Sequence, residues 1–185
     1  MQDELKNEQI DTIMKEINDN AEYVKKLSDD IVNQYTSILD DIMRDITNDV
    51  INQNVVSDDT LERYFLDLTN ALYFIGSKSE FLGVYEDLSK SNMKLKYNQA
   101  YSENQINSSL QGKKVTVDEN RAYAENNSIN ETIVNSLYAR SFRIIKAKIE
   151  SANEMVKTLS KIISKRMNER DFSDYVNPFD NEGDN

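Results

Sequence analysis

The stretch 128-SINETIVNSLYARSFRIIKAKIESANEMVKTLSKIISKRMNER-170 decides the fold. Ser128 and Glu131 have the spacing of a capping box, in which hydroxyl and carboxylate satisfy free N–H groups at a helix start. No Gly or Pro follows before Arg170. Val134, Tyr138, Phe142, Ile145, Ile149, Ala152, Val156, Leu159 and Ile163 fall at helical spacing. From Tyr138 the steps alternate four and three, as in a coiled-coil seam. Leu137, Ile144, Met155 and Ile162 widen that seam, so the spacing predicts one helix packed against two neighbours. At 1.5 Å per residue it would be about 60 Å long.

The same stretch is cationic. Arg140, Arg143, Lys146, Lys148, Lys157, Lys161, Lys165, Arg166 and Arg170 stand against Glu150, Glu154 and Glu169. Lys157, Lys161 and Lys165 lie four apart, a like-charge ladder that costs roughly a few tenths of a kcal/mol per pair. An anionic surface alongside would relieve it. The alternative is a solvated face whose cations suit the helix C-terminal dipole.

Working outward, the chain of 185 residues has four Gly, one Pro and 30% charged residues, which points to an all-α fold of long amphipathic helices. An elongated bundle or coiled coil is expected. Its apolar stripes are narrow, with a mean hydropathy of −0.69, so a homo-oligomer is expected to bury them. The expected divisions are an acidic helical segment over 1–56, a helical domain over 57–170 and a disordered acidic tail over 171–185. The net charge of −11 is unevenly spread. Residues 1–62 carry 16 acids and 5 bases, residues 140–170 carry 3 and 9, and residues 171–185 carry 5 acids and no base. Local field, not global charge, therefore governs what the chain attracts.

The first segment, Asp3 to Asn52, keeps heptad spacing through Ile10, Met14, Ile17, Ala21, Val24, Ile31, Tyr35, Ile38 and Ile42, with Ser28 in the polar slot, and the stripe then drifts to Ile46 and Val50, as on a straighter helix. Ser28-Asp29-Asp30 leaves open one helix or two. Its many aspartates fit a solvated acidic face, or one that meets a basic helix, better than a metal or acid/base site. Ser57, Asp58 or Asp59 can cap the next helix, which carries Leu61, Tyr64, Phe65, Leu68, Leu72 and Ile75. Gly76-Ser77 marks a stop or kink. A further helical stretch carries Phe81, Leu82, Tyr85, Leu88 and Leu95 and fades near Tyr101. Ser102 to Gln111 reads as a polar loop. Val115 to Val117 allows a short strand, and Thr116 and Glu119 form a second capping box. The helix this box starts breaks at Asn126-Asn127.

Absences narrow the function. The chain has no Cys and no His, and Gly112-Lys113-Lys114 lacks the rest of a phosphate loop. No enzyme activity, cofactor, metal or small-molecule substrate is expected. The polar N-terminus gives no secretory signal, and no apolar run approaches the ~20 residues of a membrane span. A cytoplasmic protein is the default expectation, in the host cytoplasm if the source is viral.

One stretch interleaves base and aromatic: Lys90, Lys94, Lys96, Tyr97, Tyr101, Lys113, Lys114, Arg121 and Tyr123. Single-stranded nucleic acid is held in this way, by cations along phosphates and rings against bases. The alternative is a polar surface with no ligand. The order of Lys94-Leu95-Lys96-Tyr97 and Tyr101, a polar loop, Lys113-Lys114-Val115-Thr116-Val117, a short capped helix, then a long helix with Arg140, Arg143, Lys146 and Lys148 resembles phage recombination mediators of the UvsY type over about residues 80–170. That resemblance implies a small helical protein that assembles into rings, binds single-stranded DNA and helps load a recombinase while displacing single-strand-binding protein. It implies Lys94, Lys96, Lys113, Lys114 and Arg121 as phosphate contacts. The acidic first segment and the acidic tail depart from the pattern. Arg140, Arg143, Lys157, Lys161 and Lys165 complete the candidate nucleic-acid surface. The competing reading is a scaffold or virion component in which basic helix pairs with acidic segment.

Overall fold

The computed structural model describes the backbone of residues 2–51 and 56–176, and the side chains of 18, 21–50 and 56–170. The protein is all-α. Its elements are α1 (Gln2–Ile46), a π-helical turn (Thr47–Ile51), α2 (Asp58–Leu110), α3 (Val117–Asn127) and α4 (Ile129–Val176). No strand occurs among the described residues, so Val115 to Val117 is not one. Two compact units form, one from Met1–Tyr35 with Lys78–Lys146 and one from Thr36–Ser77 with Ala147–Asn185. Both draw on α1, α2 and α4.

Several boundaries differ from the sequence reading. α1 passes unbroken through Ser28-Asp29-Asp30. Ser28 is fully buried and its hydroxyl meets that of Ser141 at 3.0 Å, so it packs instead of capping. α2 also continues through Gly76-Ser77, because a lone helical glycine costs only about 1 kcal/mol and Ser77 Oγ donates back to the Tyr73 carbonyl. The expected loop from Ser102 to Gln111 is helix up to Leu110. No Gly or Pro interrupts it, and Asn104 donates to Asn120 of α3. The stop comes at Gly112, with φ of +67°. Lys113 N–H donates to the Ser108 carbonyl and Gly112 N–H to that of Ser109, the paired bonds of a Schellman cap.

The helix starts are set by hydroxyls. Ser57 caps α2, its Oγ accepting from Thr60 N–H at 3.2 Å. Thr116 and Glu119 form both bonds of the expected capping box. The box expected at Ser128 does not form. Ser128 is the one residue between α3 and α4, and its hydroxyl donates to the Ala124 carbonyl at 2.9 Å. That oxygen is committed to the end of α3. α4 then runs six residues beyond Arg170, to Val176. The remainder of the expected acidic tail lies outside the described residues.

In the first unit the core is made of small residues. Ser28, Val32, Ser79, Leu82, Ser89, Ala100, Ala124, Ser141 and Ile145 are buried. α2 and α4 run antiparallel here: Ser89 Oγ lies 3.3 Å from Asn135 Oδ1, Tyr85 stacks on Tyr138, and Phe142 covers Gly83. In the second unit Leu39, Ile46, Val56, Leu61, Tyr64, Leu68, Ile75, Ala152 and Leu159 are buried. The α4 seam is as the spacing predicts, with Ile145, Ala152 and Leu159 innermost and Phe142, Ile149, Val156 and Ile163 half-buried. The α1 line is not. Ile46 is buried as the drift of the stripe predicts, but Val32, Thr36 and Leu39 also face inward, while Ile38 is 68% exposed. The side chains of Ile10, Met14 and Ile17 lie outside the described residues.

Candidate nucleic-acid interface

The long helices sort their cations into two groups. The first is held internally by carboxylates. In the first unit Arg140 reaches Asp29 at 3.9 Å, near the outer limit of an ion pair, and its Nε is buried without a partner. In the second unit Lys148 of α4 binds Asp40 and also donates to Thr36 Oγ1 at 3.1 Å. Thr36 in turn donates to Asp40 at 3.0 Å, which orients the carboxylate. Asp58 takes both Arg166 and Arg170, and Arg166 also donates to the Val56 carbonyl. Tyr64 donates to Asp49, and that bond to a carboxylate raises the phenol's pKa above its ordinary value. The acidic first segment thus meets basic α4 directly, at Asp29 and at Asp40. A shift of the buried line of α1 by about one residue brings Thr36 and Asp40 inward, and heptad counting missed it.

The second group is exposed. Lys90, Lys94, Lys96, Lys113, Lys114, Arg143 and Lys161 have exposed side chains, and no ion pair involves them among the described residues. Between the groups lie cations with neighbouring carboxylates on their own helix. Arg121 sits 3.6 Å from Asp118, Lys157 2.6 Å from Glu154, and Lys165 3.7 Å from Glu169. The bond from Lys157 lowers the pKa of Glu154. These surface pairs are worth roughly 0–1 kcal/mol and yield readily to a stronger anion.

Of the candidates, Lys157, Lys161 and Lys165 belong to the second unit and the rest to the first. Within the first, α2 brings one set together. Lys90, Lys94, Tyr97 and Tyr101 are spaced four, three and four, so they share one stripe. Tyr97 and Tyr101 are half-exposed and stacked, with ring centroids 6.4 Å apart and planes at 24°. Lys96, two residues on from Lys94, lies about 200° round the helix and faces away from the stripe. α2 ends at Leu110, about 14 Å along the axis from Tyr101, and Lys113 and Lys114 sit in the exposed turn that follows. Arg143 is on α4, and neighbouring Lys146 covers the ring of Phe142 at 4.6 Å.

A second surface needs an occupant. Phe81, Val84, Tyr85, Leu88 and Leu95 of α2 are each more than half exposed. Beside them Tyr85, Leu88, Val134 and Tyr138 line an open groove of about 320 Å³. Among the described residues no group of three or more Asp and Glu gathers as a metal site, and no helix is long and apolar enough to cross a membrane. Comparison of the chain with protein-family models, with curated proteins and with solved structures gives no match.

Proposed function

We propose that this chain is a non-enzymatic helical oligomer, an elongated bundle or coiled coil, that binds single-stranded DNA and assists recombination proteins, in the manner its resemblance to UvsY-type mediators implies. The observation that carries the reading is the α2 stripe. Lys90 and Lys94 are exposed cations without a carboxylate partner among the described residues, and they lead directly to two stacked tyrosine rings. Phosphates meet the lysines, and a base extends the ring stack. Lys113 and Lys114 carry the strand onward past the end of α2.

Fluorescence anisotropy with a labelled oligothymidylate tests this. Binding should weaken with salt at a log–log slope of about −0.7 per phosphate contact. Lys94→Ala should reduce the slope by about one contact. Tyr97→Ala should cost about 1–3 kcal/mol of affinity with little change in slope. No binding at low salt would overturn the proposal.

A second reading is favoured by the internal pairs. Lys148 with Asp40, and Arg166 and Arg170 with Asp58, neutralise part of the basic helix within the chain. A purely assembling protein, such as a scaffold, would associate with itself and ignore the oligonucleotide in the same assay.

A further inference from the structure

We infer that the outward face of α2 in the first unit is a self-association seam, and that its occupant is a second copy of this chain packed antiparallel. The inference rests on the oligomeric part of the proposed function and names its surface. Phe81, Leu88 and Leu95 lie seven residues apart, 68%, 58% and 56% exposed, and Val84 (55%) and Tyr85 (52%) fill the turn between. A repeat of seven suits a helix that winds against another helix. This face is opposite the buried line of Ser79, Leu82 and Ser89, so α2 is buried on one side and exposes an apolar line on the other.

Size and charge both favour a copy of itself. At roughly 100 Å² per exposed side chain, the patch offers about 500 Å² per chain. A symmetric pair would then bury about 1,000 Å², the lower bound of a specific interface, and an exposed apolar patch of this size is often a functional one. Glu80, Asp87 and Lys94 are also seven apart and flank the apolar line. None forms an ion pair among the described residues. When Leu88 packs over Val84 of an antiparallel copy, Glu80 faces Lys94 of that copy, twice by symmetry. Asp87 then faces itself near the axis, a weaker repulsion between exposed groups.

Mass measurement in solution across 1–100 µM, without DNA, tests the seam. The parent chain should exceed its monomer mass of 21.4 kDa. Leu88→Glu, at an exposed position, should return it to monomer with unchanged helical circular dichroism. Glu80→Lys and Lys94→Glu should each raise the half-association concentration at least threefold, the double variant should restore it, and Asp87→Asn should lower it. A parent chain that stays monomeric, an Leu88→Glu chain that associates as before, or a double variant weaker than both singles would overturn the proposal. Because Lys94 also belongs to the proposed phosphate stripe, oligonucleotide binding is read by anisotropy on the Leu88→Glu chain, in which Lys90, Lys94, Tyr97 and Tyr101 are unchanged.

Discussion

At Gly112 the backbone lies in the left-handed region, and a side chain there is strained wherever it points. Gly112→Ala should lower stability by about 1 kcal/mol in urea denaturation. Gly76 is the opposite case. It lies mid-helix, with nothing within 4 Å of an added Cβ, so Gly76→Ala should raise stability by about 0.5–1 kcal/mol. Glu119 supplies a pH dependence. Its carboxylate accepts from the Thr116 N–H and hydroxyl, which holds its pKa below the usual glutamate value. The contribution of a group lowered by folding is present above its unfolded pKa and is lost as pH falls through its folded pKa. An NMR titration should therefore give Glu119 a midpoint below that of ordinary glutamates, and Glu119→Gln should remove the matching shift of the Thr116 amide.

Among the elements, α1 separates counting from packing. Heptad spacing assigns Ile38 to the seam, whereas Leu39 is 1% exposed and Ile38 is 68% exposed. Leu39→Ala should cost about 2–5 kcal/mol, and Ile38→Ala should fall within about 0.5 kcal/mol of parent. The reverse order in thermal or urea unfolding would restore the sequence phase. Much of the rest was legible. The α4 seam was readable because Ile145, Ala152 and Leu159 are apolar at an uninterrupted spacing, and the Thr116 cap because its chemistry is local. The burial of Thr36 beside half-exposed Asp40 was not, since it is tied to the approach of Lys148 from α4. Ser128 misled for a related reason: two helices can both use its hydroxyl, and the bond to Ala124 took it.

For the molecule as a whole, charge decides what approaches it. The excess of −11 includes Asp180, Glu182 and Asp184 of the last nine residues. Deleting 177–185 reduces the excess to −8 and should tighten oligonucleotide binding at low salt. The gain should vanish near 1 M salt, where the screening length is about 3 Å. Equal affinity of the two forms at low salt would show that the tail takes no part. The basic character of the candidate surface could be read from Lys94, Lys113 and Lys114, because exposed lysines need no tertiary partner to be noticed. The alignment of Lys90 and Lys94 with Tyr97 and Tyr101 follows from their spacing, whereas the stacking of the two rings is a matter of side-chain conformation that spacing does not give.

The turn between α2 and α3 also determines where the chain is open to proteolysis. Trypsin needs an extended peptide with Lys or Arg at the scissile position, and helical backbone resists it. Among the described residues outside helices, Lys113 and Lys114 alone meet that requirement, in an exposed turn. A brief digest should therefore cut there first, and the two fragments should elute together, still clasped by the contacts of α2 with α3 and α4.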